Sequence, residues 1–276
     1  MMKQYQEKIN LDMQFMKDKY FENGYLLLKG FLEKEIVEKI LLDAKSIFQL
    51  QFDYLNLDSN FNENLKTLFK NHFQVFIDCG KQIQHLISLH KLSLDDKILT
   101  LINSLGIEKP NISTRPVLYF NHPDLAKEKS YHTVDAHQDW RSMQSSLDSL
   151  VIWIPLMNID KSLGALQIIP KSHLFGLKTN EVVNGFGMVD SDIYDNQFID
   201  VEVNQGDILV FSSFLIHRSG NNLSDQPRWS CHFRYNNLKE SNFIKRGFPH
   251  NYIYKPGSEL ITGNFPKIED LKNIFS

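Results

Sequence analysis

Cysteine is scarce in this chain: Cys79 and Cys231 are the only two in 276 residues. That excludes a disulfide framework, and two free thiols in a reducing cytosol is the simplest reading. An excess of basic charge is missing too. Thirty Lys and Arg stand against 33 Asp and Glu, for a net charge of -3, so no cationic field is available to hold nucleic acid. Long apolar runs are also lacking. The longest, SLVIWIPL (149–156), has the length of a strand and falls far short of the ~20 residues that cross a bilayer. The opening MMKQYQEKINLDMQFMKDKY is polar throughout, so no signal peptide and no membrane partner are expected, and a cytoplasmic location is. No repeat, low-complexity tract or Pro/Gly/Ser linker divides the sequence. Residues 1–276 are therefore expected to form a single domain, with 1–110 mostly helical support, 111–240 a β core and 241–276 a C-terminal flap.

What is present is ordinary for a globular protein: 42% hydrophobic and 23% charged residues. In the first third, GYLLLKGFL (24–32) is a short apolar run with glycine at its edge, which predicts a strand. The segment 33–50 then places Ile36, Val37, Ile40, Leu41, Ala44, Ile47 and Phe48 on one helical face. Leu65, Leu68, Phe69, His72, Phe73, Phe76 and Ile77 repeat that spacing in a second amphipathic helix. A third, DDKILTLINSLG, stops near Gly106. From about Asn111 the period shortens. The runs STRPVLYF, VDAHQDW, SLVIWIPLMN, ALQIIP, FIDVEV, DILVFSSFLIH and RWSCHFRYNN read as strands separated by polar turns. Many short strands with antiparallel turns predict a sandwich, jelly roll or small barrel.

One of those runs carries a histidine and a carboxylate, His137 and Asp139, one residue apart. In a strand, residues two apart share a face and converge on one point. Buried, the pair needs a neutralising partner, and a metal ion is one. Imidazole with carboxylate suits Fe(II) and related metals. The bare pattern is cheap: with ten histidines in the chain, chance alone supplies about one such pair. A second copy, His122-Pro123-Asp124, sits in polar, loop-like surroundings. A facial triad needs another histidine. His217, at the end of the apolar run DILVFSSFLIH, is favoured over His173, which follows IIPKS, because a strand end is rigid yet reachable.

These segments together resemble the phytanoyl-CoA dioxygenase family of Fe(II)- and 2-oxoglutarate-dependent oxygenases. GYLLLKGFLEKEIVEKI is similar to the family's opening strand and helix, HQDW to its metal motif, VIWIPLMNIDKSLGALQIIPKSH to its middle signature, and GDILVFSSFLIHRSGNNLSDQPR to its distal-histidine signature. The resemblance implies a mainly β chain with N-terminal α-helices, folded as a double-stranded β-helix, the jelly-roll or cupin-like barrel. It implies His137, Asp139 and His217 as catalytic metal ligands for Fe(II). It places Arg228 and Ser219 on the distal carboxylate of 2-oxoglutarate, and Tyr119 and Asn121 on the C1 side. It makes His173 a structural residue of the middle signature, where Lys171 stands in place of the family's usual glycine. The implied reaction consumes O2 and 2-oxoglutarate, releases succinate and carbon dioxide, and hydroxylates a small-molecule substrate. Halogenating relatives carry a small residue where Asp139 stands, so its presence implies hydroxylation or a related oxidation.

Arg228 is also intelligible from its own strand. In RWSCHFRY, alternation sets Arg228, Ser230, His232 and Arg234 on one face and Trp229, Cys231, Phe233 and Tyr235 on the other. A guanidinium fork matches a carboxylate, although the same face would equally suit solvent. Trp140, together with Tyr119, is a candidate pocket wall. Arg141, Arg218 and Arg234 lie near the motif residues, and an anionic substrate is the expectation if they line the mouth. Two alternatives stay open: a cupin-like metalloenzyme that does not use 2-oxoglutarate, and a non-catalytic ligand-binding barrel.

Overall fold

The computed structural model describes residues 2–125, 134–178, 182–183, 186–189, 194–249 and 266–275, with the backbone alone for 2–12, 182–183 and 186–187. Helices run over α1 (Met2–Asn23), α2 (Lys34–Tyr54), α3 (Phe61–Asn71), α4 (Phe73–Gln82), α5 (Ile87–Ser93), α6 (Asp96–Ser104), α7 (Trp140–Met143), α8 (Ser241–Lys245) and α9 (Ile268–Lys272). Strands are β1 (Tyr25–Leu28), β2 (Pro110–Asn121), β3 (Leu150–Pro155), β4 (Leu166–Ile168), β5 (Val182–Val183), β6 (Phe186–Gly187), β7 (Ile199–Val201), β8 (Ile208–Ser212), β9 (His217–Ser219) and β10 (Arg228–Asn237).

The expectation of a mainly β chain is corrected. Helix outweighs strand among the described residues, because α1 and α2 alone run 22 and 21 residues while β4, β7 and β9 have three each. The expected jelly roll is met in its two facing antiparallel sheets, without a closed barrel among the described residues. The strands form a five-stranded antiparallel sheet, β1-β8-β3-β10-β2, a three-stranded sheet, β7-β4-β9, and the pair β5-β6. The two larger sheets pack against each other through Val151, Trp153, Leu209 and Phe211 on one side and Leu166, Ile168 and Val201 on the other. No closed ladder joins them among the described residues.

Hydrophobic period builds the helical layer. Val37, Ile40, Ala44, Phe48 and Phe52 form the buried stripe of α2. Phe48 meets Phe120 at 5.4 Å and Trp229 at 6.2 Å, both edge-on, while Phe120 and Trp229 stack at 4.5 Å. This aromatic cluster fastens the helices to the outer face of the large sheet. The expected second amphipathic helix is instead two, α3 and α4. They are broken at His72, whose φ of -135° and ψ of 51° leave the helical region. Asn60 caps α3 by accepting from the Glu63 N–H, and Asp95 caps α6 by accepting from Lys97.

Alternation builds the large sheet. Trp229, Cys231, Phe233 and Tyr235 of β10 face the helix-side core, as do Leu150, Ile152 and Ile154 of β3. Both faces of β3 are covered, so every residue from Leu150 to Pro155 is buried. That explains an apolar run with no polar alternation. Two predicted strands resolve differently. VDAHQDW yields only a bridge at His137 before the chain turns into α7. DILVFSSFLIH divides at a turn, with Phe214 N–H bonded to Ser212 Oγ, so His217 begins β9 rather than ending β8.

Lys171, where a glycine was the family expectation, takes φ +67°. A non-glycine residue there costs about 1–2 kcal/mol. Its amide donates to Asn23 O and its ammonium lies 3.3 Å from Glu22, so the turn is tied to α1. His173 is wholly buried, bonded through Nε2 to Phe21 O, and packed so closely on Gly24 that a Cβ there would fall 2.3 Å from its ring. Both cysteines are buried and unpaired. The middle of the expected C-terminal flap, residues 250–265, lies outside the described residues, as do His132 and His250. The last described stretch packs on α1, with Phe275 5.5 Å from Phe21. No described helix is long and apolar enough to cross a membrane.

Behind the sheet, the turn 144–149 is polar yet buried. Asp148 accepts from Asn237 Nδ2 at 2.7 Å, and burial pushes its pKa up to about 6. Two outcomes follow. Phe48→Ala removes the hub of the aromatic cluster and is expected to cost about 3–5 kcal/mol in urea unfolding. For Asp148, the native state binds a proton that the unfolded chain has released between about pH 4 and 6. Stability contributed at this site is therefore present below that window and lost as pH rises through it. Asp148→Asn is expected to raise the melting temperature relative to the parent at pH 8 and to lose that advantage at pH 4. An advantage of the same size at both pH values would contradict the assignment.

Candidate active site

Two histidines are brought together by backbone pairing. His137 N–H donates to His217 O at 3.0 Å, and His217 N–H donates to His137 O at 3.1 Å. Residues that exchange both hydrogen bonds sit directly opposite, with neighbouring side chains on one face. The two rings accordingly lie 4.2 Å apart, centre to centre. A second bridge, to Met188, holds the other edge of His137. Each Nδ1 is spent on a carbonyl two residues back: His137 on Asp135 O at 2.8 Å, His217 on Leu215 O at 2.9 Å. A carbonyl only accepts, so each Nδ1 carries a proton, and in a neutral ring that leaves the Nε2 lone pair free. Burial, helped by His137, pushes the His217 pKa down to about 3. That imidazole is neutral near pH 7, as a metal ligand must be.

Asp139 joins them from the first turn of α7, with φ -60° and ψ -31°. The strand geometry expected of His-x-Asp is therefore corrected: His137 is a bridge residue and Asp139 is already helical. Between them, Gln138 points elsewhere. Its Nε2 donates to Gly176 O and Phe214 O, and its Oε1 accepts from Lys178 N–H. This locks the turn from behind. Asp139 Oδ1 lies 3.7 Å from His137 Nε2. Burial opposes its ionisation, but Arg234, which reaches both carboxylate oxygens, outweighs that and holds the carboxyl far below the usual range. Ligand atoms of His137, Asp139 and His217 all lie within 4.8 Å of one another. Two imidazoles and one carboxylate, grouped on one side of a cavity, are a donor set that fits a hard-to-borderline divalent ion.

That cavity measures about 220 Å³ and lies between the two sheets. The inward face of β10, Arg228 through Arg234, forms its polar side, and Val117, Val151, Trp153, Leu166 and Phe211 its apolar side. Arg228 is 2% exposed. Its Nη1 donates to Gly164 O, whereas its Nε has no partner. Burial lowers its pKa to about 10, which still leaves it cationic at neutral pH. Gly164 is needed where it stands: at φ +83°, a Cβ would meet Gly220 O at 2.8 Å.

The structure brings His137, Asp139, His217, Arg228, Ser219, Tyr119 and Arg234 to one cavity. It does not bring all the sequence candidates there. Asn121 is buried as the strand partner of Arg228 and is not among the residues lining the cavity. Trp140 is wholly buried, stacked on Phe214 at 5.2 Å, and its Nε1 donates to Ser145 O; it is core, not pocket wall. Arg141 does not line the cavity. Arg218 and Arg234 do, but each faces a carboxylate already: Asp195 at 2.8 Å and Asp139 at 3.0 Å. Sequence reasoning singled out neither Trp153 nor Phe211, which sit inside uniformly apolar runs. Ser230 and His232 carried a signal, since alternation placed them beside Arg228.

Comparison with known proteins finds relatives of this chain. The rice protein named phytanoyl-CoA dioxygenase 1 is 27% identical over 271 residues, covering 84% of this chain and 94% of that protein. Human peroxisomal phytanoyl-CoA dioxygenase is 24% identical over 226 residues, covering 78% of this chain and 66% of its own length. Among solved structures, the epimerase SnoN in complex with Fe3+, alpha ketoglutarate and nogalamycin RO superposes with a TM-score of 0.57 at 16% identity, over 82% of this chain and 84% of that one. The sequence profile described as Phytanoyl-CoA dioxygenase (PhyH) matches residues 20–230, and the chain belongs to that family.

Proposed function

We propose that this chain is a non-haem Fe(II)- and 2-oxoglutarate-dependent dioxygenase that hydroxylates a small-molecule substrate. The observation that carries the reading is a conjunction. A His-Asp-His cluster and a buried arginine with an unpartnered Nε share one cavity. The cluster alone suits any metalloenzyme of this shape. The arginine adds a seat for a carboxylate, because a buried cation with unused donors binds an anion that supplies the missing acceptors.

His137, Asp139 and His217 would hold the iron. Arg228 and Ser219 would hold the distal carboxylate of 2-oxoglutarate, with Tyr119 beside them. Iron with 2-oxoglutarate and O2 supplies the oxidation, the keto acid leaving as succinate and carbon dioxide. The chain's own part is placement. The paired backbones of His137 and His217 set two ligand atoms before anything binds. Arg228 orients the cosubstrate by its far end. Val117, Val151, Trp153, Leu166 and Phe211 exclude water from the remaining wall. Arg218 and Arg234 are occupied by Asp195 and Asp139, so they give no ground for an anionic group on the substrate. SnoN, an epimerase with alpha ketoglutarate in its structure, marks a second outcome available to this fold. The carboxylate of Asp139 is retained, which argues against halogenation and supports hydroxylation or a related oxidation.

The test is anaerobic addition of Fe(II) and then 2-oxoglutarate to the purified protein. A weak visible charge-transfer band is expected, absent in His217→Ala. In Arg228→Ala it should need at least ten-fold more 2-oxoglutarate, since a buried charge-assisted pair contributes roughly 1.5–3 kcal/mol. With O2 admitted, slow substrate-free succinate formation is expected and should vanish in Asp139→Ala. Iron binding with no band would point to a metalloenzyme that does not use 2-oxoglutarate.

A further inference from the structure

Arg234 was a candidate for substrate contact, yet its fork is turned inward. Nη2 donates to Asp139 Oδ1 at 3.0 Å and Nε donates to Oδ2 at 3.2 Å. Asp139 is buried at 4% side-chain exposure and Arg234 is largely covered at 13%. Asp139 stands at the start of a four-residue helix, and its carboxylate makes no capping bond there. Arg218 and Arg228 also line the cavity, but they are bonded to Asp195 and Gly164. The strand itself is adapted at this point. Pairing between β10 and β2 shifts register on both sides of Arg234. Such irregularities re-aim a side chain next to a site.

From this we infer that Arg234 is a positioning residue: it fixes the plane of the Asp139 carboxylate so that one oxygen faces the two histidines. The inference rests on the metal reading above and adds to it. A guanidinium fork takes one lone pair from each oxygen. The lone pair left on Oδ1 lies on the side of His137 Nε2, 3.7 Å away. A carboxylate engaged in this way offers a metal one oxygen, not two. That leaves more of the coordination sphere open to small ligands. Lysine in this position would keep the charge and lose the fork.

The experiment uses the purified full chain and Mn(II) alone as probe. Free Mn(II) is read by its electron paramagnetic resonance signal, and Co(II) absorption reports ligand geometry. Arg234→Met is expected to weaken Mn(II) binding roughly 10–100-fold, the usual range for a partner that orients a ligand. It should also alter the Co(II) bands. Arg234→Lys should bind several-fold more weakly than the parent, and it decides the matter alone if Arg234→Met does not fold. Either variant binding Mn(II) as tightly as the parent, with the parent's Co(II) spectrum, overturns the inference. A parent chain that binds neither ion overturns the metal reading itself, and this inference with it.

Discussion

The histidine pair at this site depends on reciprocal main-chain hydrogen bonds between His137 and His217. The two residues are eighty positions apart in the chain, and closing so large a loop is entropically unfavourable. Antiparallel pairing offsets it with an arrangement in which opposite side chains have no choice but to be neighbours. The imidazole rings need no further guidance than the backbone and one carbonyl each. The carboxylate is different. Asp139 enters from a helical turn, outside that ladder, and depends on side chains for its placement. The cluster thus combines two side chains held by backbone with one held by a salt bridge.

Strand β10 shows how one sequence pattern serves two layers. Its odd-numbered aromatics and Cys231 pack on the helices, while Arg228, Ser230, His232 and Arg234 form the polar wall of the cavity. Both faces of β10 are covered, and only His232 and Arg234 on it are partly exposed. Polar groups on such a face are costly unless paired or offered to a ligand. Arg234 is paired. Arg228 is half satisfied by Gly164 O and keeps an unused Nε. That difference separates the two arginines, which look equivalent in the sequence.

The helical layer supports the site without touching it. Phe48, Phe120 and Trp229 bind α2 to the outer face of the large sheet. Tyr235 Oη donates to Ser93 O and ties the end of β10 to α5. Interiors are close-packed, so this layer holds the strand rigid, and with it the spacing of the residues on the opposite face.

By itself, the sequence determined the elements whose period is strong: the α2 stripe, β3, and the two faces of β10. It also determined which residue types carry chemistry, because His, Asp and Arg in apolar runs demand a physical explanation wherever they fall. Tertiary structure alone decided the rest. His72 breaks a helix that periodicity would continue, since a 3.6-residue pattern cannot register one residue leaving the helical region. His217 opens a strand instead of closing one, and HQD bridges and then turns, because short apolar runs do not reveal where pairing partners lie. Above all, Arg234 faces Asp139 and Trp140 is core. Which charge meets which, across ninety-five positions, is fixed by strand order and by a local shift of register, and neither is written in the spacing of residues along the chain.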